Sequence, residues 1–312
     1  MFQLYKKRGF SDYLNDTFGF LKLSGRHFFK NYAIICGGIL LIITALGYVV
    51  FKANFEFFKA AMDGIGSNSK IFGENLFLFG ILLILFLIIF ILVSVICYLF
   101  PIVYLRLYEE KGDFSFTTNE ILVLLKANIW RAIKFVLWTI LFYISLGIFV
   151  IALLGLICIT IIGIPFAVIG LFALIGILNI SFFLYVNNHN VGYIDSFKIA
   201  FQFVKNNLWP AVGANFAILV LVWIVGSVTS MIPMVIGMVG YGSGLGTVPG
   251  AEESAALLVI MGISYAISFL VQFVLNNLII LTNGMIYYTM QEANHSHFSK
   301  SEIDLIGTES EF

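Results

Sequence analysis

Residues 135–194 contain no Asp, Glu, Lys or Arg, a run of sixty positions without a side chain that carries a full charge at neutral pH. No other feature narrows the possible folds as much. The apolar part of the run, 135–186, would measure about 78 Å as one helix at ~1.5 Å per residue. That is more than twice the ~30 Å hydrocarbon thickness of a bilayer. The segment must therefore fold back on itself within the membrane. Gly155, Gly163 and Pro165 mark the reversal, because Gly suits the end of a helix and Pro its first turn. Composition agrees: the chain is 61% hydrophobic and 11% charged, against roughly 45–50% and ~25% in soluble domains. That much apolar surface has no place in a water-soluble core.

The other uncharged stretches are 31–51, 75–105, 206–251 and 254–291. Residues 31–51 and 75–105 supply one span each, the second with Pro101 near its end. Residues 210–234 supply a fifth, opened by Pro210 and closed near Pro233, and 255–289 a sixth. With six spans both termini share one side. That side holds fourteen of the seventeen Lys and Arg residues, and the other holds Lys52, Lys59 and Lys70. The bias places both termini in the cytoplasm, with the chain in the inner membrane. The opening thirty residues are too polar for a signal peptide, so the first apolar run is expected to be a retained anchor.

The stretch "FTTNEI" at 116–121 returns as "FSKSEI" at 298–303. Thr117 and Glu120 have the spacing of a capping box, and Phe116 and Ile121 that of a hydrophobic staple. Ser299 and Glu302, flanked by Phe298 and Ile303, repeat it. Asp195, flanked by Ile194 and Ile199, is a weaker copy with Lys198 in place of the acid, and Ser11 after Phe10 is weaker still. Each start leads into an amphipathic helix suited to the membrane interface: Ile194, Phe197, Phe201 and Val204 share one face. Two such helices end alike, in "KANIW" at 126–130 and "KNNLW" at 205–209, where Lys126 and Lys205 meet headgroups and Trp130 and Trp209 sit in the aromatic belt. "KNYAI" at 30–34 is a looser version.

These readings define the expected architecture. The fold is all-α, a polytopic membrane protein with six transmembrane helices. It forms one membrane domain over 1–312, made of three parallel repeats (10–110, 111–190, 191–292). Each repeat is an interfacial helix followed by a two-span hairpin, and a truncated interfacial helix over 298–307 follows the last. The layout, with Lys126, Asn128 and Trp130, then Lys205, Asn207 and Trp209, then paired hydrophobic hairpins, resembles the bacterial membrane domains found alone or fused to glycerophosphodiester phosphodiesterases. That family's catalytic barrel has no counterpart here, so the resemblance implies no hydrolase activity.

Candidate chemistry is sparse. Gln272, Asn276 and Asn283 share a face of the sixth span, with Asn277 beside them. They form either a polar path or substrate site, or interhelical hydrogen bonds worth roughly 0.6–2 kcal/mol each. No ionisable residue lies deep in a span, which speaks against an ion-coupled pump. His295 and His297 are two potential ligands without support from Cys or carboxylate, so no metal site is expected. The glycines from Gly240 to Gly246 follow a span rather than a strand and are expected to form a loop. Cys36, Cys97 and Cys158 lie in apolar runs and are expected to be small buried hydrophobes. The outer loop 52–75 is amphipathic and suits the outer leaflet or a partner, and the basic patch Lys6, Lys7, Arg8 suits anionic lipid or a cytoplasmic partner. No catalytic residues, cofactor or nucleic-acid surface are expected. The function this implies is a non-enzymatic inner-membrane scaffold or accessory subunit of a membrane complex, in envelope biogenesis or protein export. Its partners would be membrane lipids and partner subunits. The alternative is a transporter or channel for a small or lipidic substrate.

Overall fold

The computed structural model describes residues 2–63, 69–158, 163–242 and 251–308, with side chains described over most of 2–50, 80–142, 163–239 and 259–293. Among the described residues every regular element is helical. The order is α1 (Phe10–Tyr32), a π-turn (Ala33–Gly37), α2 (Gly38–Asp63), α3 (Ser69–Lys111), α4 (Thr118–Cys158), α5 (Gly163–Asn187), α6 (Tyr193–Asn206), α7 (Leu208–Gly242) and α8 (Ala251–Thr308). Among the described residues five helices are long and apolar enough to cross a membrane: Phe10–Val50, Gly80–Lys111, Gly163–Asn187, Leu208–Ile236 and Gly262–Ala293. The chain is thus an all-helical, multi-pass membrane protein.

The helix boundaries follow from local chemistry. The π-turn does not break its rod, because Tyr32 (φ −59°, ψ −47°) and Gly38 (φ −61°, ψ −43°) on either side stay helical. α3 stops at Gly112, whose φ of 75° is open to glycine at little cost. The Gly112 N–H closes the end of α3 on the Tyr108 carbonyl at 2.8 Å. α5 starts at Gly163 with Pro165 in its first turn, while 159–162 lie outside the described residues.

The interfacial segments behave in two ways. In α4 the segment 118–130 continues into the apolar stretch without a break. At the later segment α6 ends at Asn206, Asn207 leaves the helical region (φ −125°, ψ 41°), and α7 begins at Leu208. The two sequences differ at one decisive place: "IWRAI" continues where "LWPAV" brings Pro210. A proline lacks the N–H that a continuing helix requires and clashes with the carbonyl four residues back. Pro233, by contrast, sits inside α7, which runs on to Gly242 rather than closing near 234.

The largest departure concerns the end of the chain. α8 is one helix of 58 residues, about 87 Å long at ~1.5 Å per residue. It passes through 298–308 without interruption. Ser299 and Glu302 therefore both lie within a continuing helix rather than at the start of a new one. The separate interfacial helix over 298–307 does not exist. The cause is plain in the sequence: 285–306 contains neither Gly nor Pro, so nothing ends the preceding helix.

The chain divides into two compact units. One comprises Met1–Asn31, Tyr98–Leu221 and Asn277–Phe312, the other Tyr32–Cys97 and Val222–Asn276. In the first, α4 packs on α5 and α5 on α6. Its core is aromatic: the Tyr104 ring lies 4.8 Å from Phe28 and 4.9 Å from Phe116, both edge-on. Edge-to-face pairs add specificity to apolar burial. His27 joins this cluster, its Nδ1 2.9 Å from the Tyr104 hydroxyl and its Nε2 3.1 Å from the Phe116 carbonyl. Phe116 and Ile121, the expected staple pair, are both buried. In the second unit Phe90, Phe269 and Phe273 cluster, with Phe269 and Phe273 4.9 Å apart.

Candidate functional site

The polar face expected on the sixth span is divided between the two units. Asn283 belongs to the first. It is fully buried, and its Nδ2 donates both to the Ile279 carbonyl and to Asn215 Oδ1 on α7, each at 2.9 Å. Asn215 in turn donates to the Ala211 carbonyl at 3.0 Å. The pair therefore links α7 to α8. The same device recurs: Asn31, Asn128, Asn179 and Asn207 each donate to the carbonyl four residues earlier. Bonding within its own helix satisfies the amide N–H and leaves Oδ1 for a neighbour. Asn31 Oδ1 accepts from Thr118, and Asn179 Oδ1 from Tyr98. Asn128 Oδ1 is buried and has no partner among the described residues.

Gln272 and Asn276 belong to the second unit. Gln272 Nε2 donates weakly to Asn276 Oδ1 at 3.4 Å. Gln272 also lines a cavity of about 600 Å³ formed by α2, α3, α7 and α8 within this unit. Its walls include Tyr48, Phe86, Trp223 and Phe269, with Thr44, Ser227, Ser230 and Ser268 among them. Glycines create the space. A Cβ on Gly226 would come within 2.5 Å of Gln272 Oε1, and one on Gly262 would collide with the Tyr48 ring. Ser268 donates to the Thr229 carbonyl at 2.7 Å, tying α8 to α7 at the cavity wall. Trp223 lines the cavity and is 71% exposed, which places it at the mouth. Sequence reasoning found Gln272 and missed the rest, although Gly226 and Gly262 within apolar helices were a readable sign of close approach.

The residues expected to anchor the chain at the interface are on the protein surface. Lys126 and Lys205 are exposed, as are Trp130 and Trp209. Lys134 Nζ lies 5.7 Å above the Trp130 ring, within cation–π range.

At the start of α4 the reciprocal bonds of a capping box are present. The Thr117 N–H donates to Glu120 Oε2 at 2.7 Å and the Glu120 N–H to Thr117 Oγ1 at 3.4 Å. Lys111 adds a 2.6 Å ion pair to the other Glu120 oxygen. The Lys111 bond, helped by the Thr117 N–H, pulls the Glu120 carboxyl down to about 2. At α6 the cap is Gly192 rather than Asp195, and it makes no side-chain cap bond. Asp195 stands three residues further on, paired with Lys198 at 3.4 Å. The helix starts early because its first-turn aromatic, Tyr193, packs on Phe135 and Phe197.

Two arginines not singled out individually by the sequence organise the first unit. Arg8 is not part of an exposed basic patch: its side chain is fully buried against Asp16 at 2.7 Å. It also donates to the carbonyls of Leu4 at 2.6 Å and Gln3 at 2.8 Å and to Thr289 at 3.3 Å. Lys6 pairs with the same Asp16, and Lys7 stays exposed. Arg131 donates to the carbonyls of Tyr185, Asn188, His189 and Val191, and its guanidinium stacks 4.2 Å from the Tyr185 ring centroid. It thereby closes the C-terminal end of α5, where unpaired carbonyls favour a cation.

The side chains of His295 and His297, those of 52–75 and that of Cys158 lie outside the description, as does the glycine-rich segment beyond Gly242. Cys36 and Cys97 are free and buried. Among the described residues no three His, Cys, Asp or Glu side chains are grouped to hold a metal. No family model matches the chain, and no curated protein or solved structure matches it either.

Proposed function

We propose that this chain is a non-enzymatic scaffold or accessory subunit of an inner-membrane complex, serving envelope biogenesis or protein export. It spans the membrane six times with both termini cytoplasmic. The span additional to the five apolar helices is α4, whose 41 residues exceed the ~20 needed to cross. The three helix starts before α1, α4 and α6 head three parallel repeats, in the manner of the phosphodiesterase-associated membrane domains that the sequence resembles.

One observation carries the reading. The polar groups on the basic side hold the protein's own segments in place. Arg8 fastens residues 3–6 to α1 and α8, Arg131 locks the 188–191 turn to α4, and the Asn215–Asn283 pair joins α7 to α8. A rigid platform on the cytoplasmic side is what a docking subunit needs.

Mild-detergent extraction followed by native mass measurement tests the proposal. The expected result is a complex heavier than the 34.9 kDa chain, containing one reproducible membrane partner. A chain that stays alone and supports solute flux in liposomes, lost on changing Gln272 to Leu, overturns the scaffold in favour of transport. Cysteine labelling from outside tests the topology: positions 68 and 244 should react, and 111, 189 and 300 should not. Labelling at 189 would end the three-hairpin scheme.

A further inference from the structure

The cavity of the second unit has features that a scaffold does not require. None of its fifteen lining residues carries a charge at neutral pH. Its volume of about 600 Å³ falls within the ~300–1,000 Å³ range of small-molecule sites. Most of the surface that lines it is apolar. Its lining lies on helices apolar enough to cross a membrane, and its mouth is marked by Trp223. Hydrocarbon is therefore the natural occupant.

Two groups make the site selective. Gln272 Oε1 rests against Gly226, and among the described residues it accepts no hydrogen bond. Ser227, the next residue along α7, lines the same cavity, and its hydroxyl makes no hydrogen bond among the described residues. An acceptor and a hydroxyl with spare capacity therefore face one apolar space. A ligand hydroxyl can donate to the first and accept from the second.

We propose that this cavity binds a neutral lipid alcohol. One hydrocarbon chain lies against Tyr48, Phe86 and Phe269, and the hydroxyl bonds to Gln272 and Ser227. An anionic headgroup has no counter-charge here, and a bare hydrocarbon leaves the Gln272 carbonyl unpaired. The site stands independently of the scaffold reading.

Trp223 is the reporter. With Trp130, Trp138 and Trp209 changed to Phe, the full chain is placed in phosphatidylcholine nanodiscs. It is titrated with a dibrominated long-chain alcohol and, separately, with the methyl ether of the same chain. Bromine quenches tryptophan on contact. The alcohol should quench Trp223 saturably, at about tenfold lower mole fraction than the ether, the ratio expected for one additional hydrogen bond. Gln272→Leu should erase the difference, Ser227→Ala should weaken alcohol and ether alike because the ether oxygen also accepts, and Ala266→Phe should suppress saturable quenching by filling the space. Unchanged thermal unfolding of each variant is the control for folding. Equal quenching by alcohol and ether in the single-tryptophan protein overturns the assigned ligand class. Saturable quenching that survives Ala266→Phe shows that Trp223 senses bulk lipid, and overturns the site itself.

Discussion

Replacing Arg8 by Ala separates two roles for the N-terminal segment. The side chain is fully buried, and its guanidinium makes a 2.7 Å ion pair with Asp16 and bonds of 2.6, 2.8 and 3.3 Å to Leu4, Gln3 and Thr289. Hydrogen bonds to a charged group contribute about 1.5–3 kcal/mol each, and truncating one partner of a buried ion pair costs about 3–5 kcal/mol. Asp16 keeps Lys6 at 3.0 Å, which offsets part of the loss. A destabilisation of about 3 kcal/mol follows, a large share of the ~5–15 kcal/mol typical of a folded domain. Arg8→Lys keeps a charge for Asp16 but cannot reach the other partners with a fork, so it should fall between. Unfolding in mixed detergent micelles, followed by circular dichroism, measures the effect. Hydrogen exchange over residues 2–9 should show the segment released before the helices melt. A change below about 0.5 kcal/mol, with weaker binding to anionic vesicles, would refute this reasoning and restore Arg8 to a lipid-facing patch.

The Glu120 carboxyl is held at about 2 by Lys111 and Thr117, against 4.5 ordinarily. A carboxyl with a depressed folded value stabilises above its unfolded value and loses that contribution as pH falls through the folded one. The protection of the amides at 118–121 relative to their intrinsic exchange rates should therefore fall as pH drops from about 4.5 to 2; Glu120→Gln should remove this step, and constant protection in the unmodified protein would contradict the capping geometry. Asn283→Leu should lower stability by about 0.6–1.7 kcal/mol, the measured range for bonds between membrane helices, because Asn215 Oδ1 loses its donor. A double-mutant cycle with Asn215→Leu should recover most of that as coupling energy, and additive losses would mean that the two residues act separately.

The apolar run at 135–194 made the helical, membrane-spanning character legible, because hydrophobic length is a one-dimensional property. So was the run of amides Gln272, Asn276, Asn277 and Asn283 in an otherwise apolar stretch. The cavity beside Gln272 was not legible, since it depends on where Gly226, Gly262 and Tyr48 meet, and those residues come from three helices. Arg8 was misread for a related reason. "KKR" near a terminus describes a charged run, but the burial of its third member depends on Asp16, one and a half turns along α1, and on Thr289 near the far end of the chain. Periodicity places a residue on a face without revealing what lies opposite it.

The helix starts show how a local signal depends on what comes before it. At all three, an acid stands three residues past the cap: Asp12 after Gly9, Glu120 after Thr117 and Asp195 after Gly192. In each case the carbonyl of the cap residue accepts the first helical bond, at 3.3, 3.3 and 3.0 Å. At the first start the Asp12 carboxylate takes the Gly9 N–H at 2.9 Å, the same half of the box that Glu120 supplies to Thr117. Two of the caps are glycines and offer no side-chain oxygen, so a search for Ser, Thr or Asp at the cap settles on Ser11 and Asp195, which already lie inside the helix. The reverse error occurs at 299. "FSKSEI" has every residue of a start, but the helix before it has not stopped. At each of the three real starts the preceding helix, where there is one, has already stopped: no helix precedes Gly9, α3 ends at Gly112 with its φ of 75°, and α5 ends at Asn187, ahead of Gly192. Without such a stop, continuing an existing helix adds one bond per residue fixed, whereas a new helix bears the unfavourable first turn again. A capping box specifies where a helix begins only after something else has ended the one before it.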